Sequence, residues 1–146
     1  MNPLKHITIC WEITGDAPLL MHSDKFVDPL HPLTAEHKKL TSKRTKTTED
    51  HHLIAKSEWA GALYYRDQLG IYIPTNMIRK TIIEGARLFK LGKQVERGVF
   101  FTEFTGFSLK YDGPSDPDKL YEYKNGAFCD RRTVKVQSSK VLRTRP

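Results

Sequence analysis

The sequence predicts an α+β fold, in which an antiparallel sheet is covered on one side by two helices. Three observations favour it: apolar residues alternate near the N-terminus, two central segments have helical signals, and the last third is rich in short β-type runs. With 146 residues, 28% of them charged and 38% hydrophobic, the chain is long enough to bury a core. We therefore expect a single domain over 1–146.

Residues 6–14 predict the first strand of that sheet. Ile7, Ile9, Trp11 and Ile13 recur at every second position, with polar or small residues between them. This period of two is typical of a strand with one buried face.

A long basic insertion follows at about 22–48. Pro29 and Pro32 disfavour regular structure there, and Lys, Thr, Ser and His dominate the residues that follow them. A long irregular connection within a compact domain is usually functional or disordered. We therefore predict a mobile basic arm.

The first helix is predicted from Thr47 to about Tyr65. Asp50 stands three residues after Thr47, so the two side chains can form a capping box. Glu58, in the middle of this helix, is interpreted as a solvated acid.

A short strand at 71–73 leads into the second predicted helix, which opens at Pro74 with Thr75 as its N-cap. Gly92 is predicted to end this helix as a left-handed cap. Its apolar stripe has helical spacing and consists of Ile78, Ile82, Ala86 and Phe89.

The remainder is predicted to be mostly strand. Residues 99–109 are β-rich, with Gly106 as a candidate bulge, and 110–119 form a polar loop. Asn125–Gly126 is the favoured pair for a tight hairpin turn, and 134–136 continue as a strand.

The net charge of +7 is unevenly distributed. Two stretches without any acid, 37–46 and 131–146, hold 11 of the 24 Lys and Arg residues. Clustered cations raise the local potential and attract polyanions, whereas a single solvated run needs no partner. Two such stretches in one small domain favour binding to a nucleic acid backbone.

Other chemistry is weakly indicated. The six histidines lack metal-ligand spacing, and no phosphate-binding glycine loop is present, so we expect no metal and no cofactor. Asp24 and Asp28 are weak candidates for phosphodiester chemistry. Tyr121 and Tyr123 are candidates for stacking on bases. Cys10 and Cys129 are isolated thiols, and no apolar run approaches the roughly 20 residues that span a bilayer, so we expect a cytoplasmic protein.

Three segments resemble a known family. Residues 72–86 (YIPTNMIRKTIIEGA) resemble the "IP-x-S-x-I/L-K/R-G" strand-to-helix element of the repeat-associated mysterious protein (RAMP) superfamily, whose members form the backbone of CRISPR effector complexes. Residues 17–23 (APLLMHS) resemble its "PLxIGS" turn, and 141–146 (VLRTRP) resemble its late "R-x-R-P".

The resemblance implies a ferredoxin-like fold, also called RNA-recognition-motif-like, with the basic insertion in the place of a thumb-like extension. It implies non-catalytic binding of single-stranded RNA by subunits that stack along the strand, within an antiviral ribonucleoprotein or a mobile-element relative. Some relatives cut their target with an Asp in the loop after the first strand, where Asp24 or Asp28 stands. Members of the family continue into a further strand after the last motif. Three explanations stay open: this chain is a fragment, its tail is disordered, or the resemblance is partial.

The leading hypothesis is therefore a protein that binds single-stranded RNA, or single-stranded DNA, and assembles with itself as a filament or with other effector subunits. A metal-dependent nuclease and a protein-binding inhibitor module are the alternatives. The residues expected to contact phosphates are all basic: Lys38, Lys39, Lys43, Arg44, Lys46, Arg79, Lys80, Lys93, Arg143 and Arg145.

Overall fold

The computed structural model describes residues 7–146, which form an α+β fold with two antiparallel sheets. The helices are α1 (Pro32–Thr41), α2 (Thr48–Ala62), α3 (Thr75–Arg87), α4 (Gly92–Gly98) and α5 (Pro117–Glu122). The strands are β1 (Tyr65–Arg66), β2 (Gly70–Pro74), β3 (Gly106–Ser108), β4 (Asp130–Val136) and β5 (Ser139–Arg145). Short 3-10 turns lie at Lys25–Val27 and Tyr123–Asn125. The predicted fold class is confirmed at this level.

The three-stranded sheet has the order β1-β2-β3, and β2 is its central strand. Within the β-rich segment predicted at 99–109, only Gly106–Ser108 pairs as a strand, and Gly106 lies opposite Pro74. A Cβ on Gly106 would lie 2.5 Å from the carbonyl oxygen of Ile73. Close approach of two strands, rather than a bulge, therefore explains this glycine.

The second sheet is the hairpin β4–β5, paired from Asp130 opposite Arg145 to Val136 opposite Ser139. Its turn is at 137–138, and not at the predicted Asn125–Gly126. The residues before Asn125 form helix α5 instead, because Asp116 caps this helix by accepting the Lys119 N–H at 3.0 Å. Asn125 and Gly126 do adopt left-handed φ values, 57° and 83°, but they end this helical segment.

Helix α2 lies at the centre of the core. Trp59 is 1% exposed, and its indole nitrogen donates a hydrogen bond of 2.8 Å to the carbonyl oxygen of Phe128. The other buried residues of this cluster are Met21, Leu63, Ile71 and Leu120. Each such side chain contributes roughly 1.5–3 kcal/mol on burial. Around this cluster, α2 packs against α1, α5 and β5.

The capping box that begins α2 is confirmed. The Thr47 hydroxyl accepts the Asp50 N–H at 3.2 Å, and the Asp50 carboxylate accepts the Thr47 N–H at 3.0 Å. Both hydrogen bonds satisfy backbone donors that a helix N-terminus otherwise leaves unpaired.

The basic insertion contains regular structure, contrary to the expectation of an irregular arm. Helix α1 begins at Pro32, because proline is favoured in the first helical position, where no backbone donor is needed. His31 caps it by accepting the Leu33 N–H at 3.2 Å. Phe26 stacks on His37 at 4.7 Å and packs so closely on Gly61 that a Cβ there would lie 2.2 Å from its ring. These contacts fix α1 against α2.

The first predicted strand does not form over the described residues 7–14, and His6 lies outside the described range. Ile7, Ile9, Trp11 and Ile13 are between 56% and 82% exposed. Alternation specifies which face of a strand is buried, but a strand also needs a neighbour that supplies ladder hydrogen bonds. Residues 7–14 have no such neighbour among the described residues.

Helix α3 forms where expected but ends at Arg87, so Phe89 of the predicted apolar stripe lies outside it and is 76% exposed. Its two ends also differ from the prediction. Pro74 is the N-cap, and the Thr75 hydroxyl instead donates a hydrogen bond of 2.6 Å to the carbonyl oxygen of Glu103. After α3 the left-handed residue is Lys90 (φ 61°), whereas Gly92 begins α4.

None of the helices formed by residues 7–146 is both long and apolar enough to cross a membrane.

The Asp50→Asn substitution should remove an acid-sensitive part of the stability. A hydrogen bond from Lys43, then that from the Thr47 backbone, lowers the pKa of Asp50 from 3.8 to about 2. The stabilisation is therefore complete above about pH 4 and is lost as the pH falls through about 2. Urea midpoints of wild type and Asp50→Asn should converge over this interval. If the difference between them stays constant, or if the exposed-site control Asp16→Asn converges equally, this account of Asp50 is contradicted.

Candidate nucleic-acid interface

Both acid-free basic stretches pack against α2. Helix α1 carries part of the first stretch and β5 carries part of the second, and each contacts α2. His37 of α1 lies between them: its ring Nδ1 is 3.1 Å from the Ser57 hydroxyl of α2. Burial lowers the pKa of His37, the Glu58 carboxylate opposes this, and the charge of Arg143 lowers it further. His37 and Arg143, one from each basic stretch, thus bind the adjacent α2 residues Ser57 and Glu58.

The hairpin is held to α2 by a clamp that consists of Glu58, Arg143 and Thr144. Glu58 is only 7% exposed, and its Oε1 bonds to the Arg143 guanidinium. Its Oε2 accepts the Thr144 N–H at 3.2 Å. The interpretation of Glu58 as a solvated acid is therefore wrong, because α2 turns this position toward β5. A carboxylate removed from water needs such partners.

The turn between α1 and α2 uses two of the predicted phosphate ligands internally. Lys43 forms a salt bridge of 2.5 Å with Asp50, and Lys46 donates a hydrogen bond of 2.8 Å to the carbonyl oxygen of Lys43. Their charges are thus partly committed to holding the loop in place.

Most of the other cations are unpaired. Within residues 7–146, no carboxylate lies at ion-pair distance from a further set of basic side chains on α1, on the loop after it and on the hairpin. They are Lys38, Lys39, Arg44, Arg131, Lys135, Lys140 and Arg145. Arg145 is half-buried beside His22, and its charge, after burial, lowers the pKa of that histidine. The other six are exposed.

Like charges stand opposite each other across the hairpin. Arg132 pairs with Arg143, and Lys135 with Lys140. Each arginine has a carboxylate partner, since Asp130 lies 2.5 Å from Arg132 and Glu58 binds Arg143. The lysine pair has none among the described residues, and like charges directly opposite destabilise a sheet.

The cations of α3 and α4 form a separate group, since α3 packs against β2, β3 and α4. Arg79 donates a hydrogen bond of 2.9 Å to the carbonyl oxygen of Glu96 and so ties α3 to α4, while Lys80 is exposed. Lys93 lines a cleft of about 310 Å³ with Arg87 and Lys90. Sequence reasoning identified Lys93 but not its two neighbours in this cleft.

Asp24 and Asp28 flank the 3-10 turn at 25–27. Asp28 accepts the Leu30 N–H at 2.9 Å, while Asp24 makes no side-chain capping bond. Across residues 7–146, the structure brings together no group of three His, Cys, Asp or Glu side chains that could hold a metal ion. The two aspartates therefore have no third ligand in the described part of the chain.

The two tyrosines proposed for stacking are half-buried. Tyr121 meets Trp59 edge-on at 5.5 Å, and the Lys124 ammonium lies 5.0 Å from the ring centre of Tyr123. Tyr123 also contacts Phe128 at 6.0 Å. The two rings are thus anchored to the body of the protein.

Comparison of the chain with models of protein families, with curated proteins and with solved structures gave no match.

A double-mutant cycle with Glu58→Gln and Arg143→Met should give a coupling of about 1–3 kcal/mol in the free energy of unfolding. Arg143 keeps 36% of its side-chain exposure, so the coupling should stay below the 3–5 kcal/mol typical of fully buried pairs.

The matched control is the exposed pair Glu84 and Arg87 on α3, whose coupling should not exceed about 0.5 kcal/mol. Equal coupling in the two cycles, measured by urea denaturation, would show that the clamp does not hold the hairpin.

Proposed function

We propose that this protein binds single-stranded nucleic acid, with RNA as the favoured form, through the phosphates of its backbone. The observation that supports this best is that α2 holds both basic stretches, with Lys135 opposite Lys140 and neither lysine in an ion pair within the described chain. A phosphate strand along the hairpin would offset this repulsion. It would also release counterions, which gives such binding its dependence on salt.

The basic side chains fall into two groups: some would contact phosphates, and others hold the binding surface in place. The exposed side chains that would face the strand are Lys38, Lys39, Arg44, Arg131, Lys135 and Lys140, with Arg145 beside them. Lys43, Lys46 and Arg143 instead position this surface, because they bind groups of the protein itself. Arg79, Lys80 and Lys93 would contact a longer strand from α3 and α4.

The preference for single-stranded RNA rests on the resemblance to the RAMP superfamily. Its strand-to-helix element corresponds to β2 and α3, with Pro74 at the junction between them. We extend the proposal to a backbone subunit of a CRISPR-type ribonucleoprotein or a mobile-element relative, in the cytoplasm.

The proposal includes a ferredoxin-like arrangement, completed when residues 7–14 pair as a strand. The alternating side chains of this segment are exposed, with Ile7 at 82% and Ile13 at 66%. Pairing would bury one apolar face, as the alternation favours. Assembly with another subunit, or with a second copy, would supply the neighbouring strand.

Replacement of Lys135 and Lys140 by serine should weaken binding to a mixed-sequence single-stranded RNA. Each lost phosphate contact should reduce the slope of log affinity against log salt by about 0.7. The slope of the double variant should therefore fall by about 1.4, as measured by fluorescence anisotropy at several salt concentrations.

The matched control replaces Lys110 and Lys119, two exposed lysines outside the basic stretches, and leaves the same net charge. Equal losses in both double variants would show that only net charge matters, which contradicts the assignment of the hairpin.

The protein should leave RNA intact after incubation with Mg²⁺ or Mn²⁺. If the wild-type protein cleaves RNA and Asp24→Ala does not, the nuclease alternative is favoured.

A further inference from the structure

A cleft of about 500 Å³ opens beside the first residues of β4. Its lining residues carry an aromatic ring, a carboxylate, an amide, a thiol and a guanidinium: they are Tyr121, Glu122, Asn125, Gly126, Cys129 and Arg131. This volume lies within the range of roughly 300–1,000 Å³ that small-molecule sites occupy. The cleft adjoins the basic hairpin, because Arg131 belongs to both.

One wall of the cleft is rigid. Tyr121 packs edge-on against Trp59, the most buried aromatic side chain of the core. The Cys129 thiol donates a hydrogen bond of 3.5 Å to the carbonyl oxygen of Tyr121, and burial raises the pKa of this thiol. Cys129 is therefore a neutral packing group at neutral pH, and the ring of Tyr121 is fixed in place.

Two other lining residues, Asn125 and Gly126, belong to a stretch of unusual backbone. Lys124, Asn125 and Gly126 have φ values of 46°, 57° and 83°, so three consecutive residues are left-handed. Glycine and asparagine adopt this conformation readily, so the unfavourable residue is Lys124, and strain of this kind is concentrated at functional sites. Here the turn places the Asn125 side chain at the cleft.

The polar side chains that line the cleft favour a base that carries an exocyclic amino group. Within residues 7–146, neither the Asn125 amide nor the Glu122 carboxylate forms a hydrogen bond or salt bridge to another side chain. An amide can pair with both N6 and N7 of adenine, and a carboxylate accepts from an exocyclic amino group. Uracil and thymine carry no such amino group. Arg131, at the same cleft, can bind the adjoining phosphate.

We propose that this cleft binds one unpaired adenine of a strand whose backbone lies on the hairpin, with Asn125 and Glu122 reading its amino edge. The inference rests on the proposed function and adds base selectivity to a surface that otherwise contacts phosphates only. Phosphate contacts position a strand, whereas contacts with base edges confer sequence preference.

Anisotropy titrations with oligoadenylate and oligouridylate of equal length test the inference. The wild-type protein should prefer oligoadenylate at least about 5-fold, as one good bidentate contact provides. Asn125→Gly should abolish this preference and leave oligouridylate affinity unchanged. Glycine tolerates the left-handed backbone, so the variant removes the amide without disturbing the turn. Asn76→Ala, which removes an exposed amide on α3, is the matched control.

A second probe leaves the protein unchanged. An oligonucleotide with purine riboside, which lacks the amino group, in place of adenosine keeps the stacking surface. Because this base also keeps N7, its affinity should fall to between those of oligoadenylate and oligouridylate, and an affinity equal to that of oligoadenylate would show that the amino group is not read. Equal affinity of the wild-type protein for all three strands overturns the adenine site and leaves the phosphate surface standing. Failure to bind any of them overturns the proposed function itself and the adenine site with it.

Discussion

The buried carboxylate of Glu58 is the constraint on which the basic surface depends. Withdrawal of a charge from water is costly unless the charge is paired and hydrogen-bonded, and the Arg143 guanidinium and the Thr144 N–H meet both needs. An isolated two-stranded hairpin is marginal in water, and this one carries like charges in opposite positions. The clamp therefore holds a hairpin that would otherwise be a poor structural element.

Neighbouring residues of α2 also position α1 and the segment that leads into β4. Trp59 anchors the segment that leads into β4 through the carbonyl oxygen of Phe128. Gly61 gives Phe26 room to pack, and Phe26 in turn stacks on His37 of α1. Within four residues, α2 thus positions a basic helix that ends at Thr41 and a basic hairpin that begins only at Asp130. Their cations can act together only because this helix lies between them.

Local signals predicted the parts of the structure that local chemistry determines. The capping box at Thr47 and Asp50 follows from side chains that bond to their own neighbours, and the helical spacing of Ile78, Ile82 and Ala86 lies within α3 itself. Tertiary partners decided other features: the Thr75 hydroxyl bonds to Glu103 instead of capping α3, and Glu58 is buried by β5. The charge runs indicated the candidate surface, whereas the clamp and the cleft beside Arg131 required the structure. Nothing within a single segment distinguishes a solvated glutamate from a buried one.

The most direct test of this account is the affinity of Glu58→Gln for single-stranded RNA at fixed salt. The substitution makes the protein more positive, so charge alone predicts tighter binding. The clamp predicts the opposite, because release of the hairpin disperses its cations, and Glu58→Gln should bind more weakly than wild type. Glu36→Gln, on the exposed side of α1, adds the same charge without touching the clamp and should bind at least as tightly as wild type. If Glu58→Gln binds as tightly as Glu36→Gln, the central claim is contradicted.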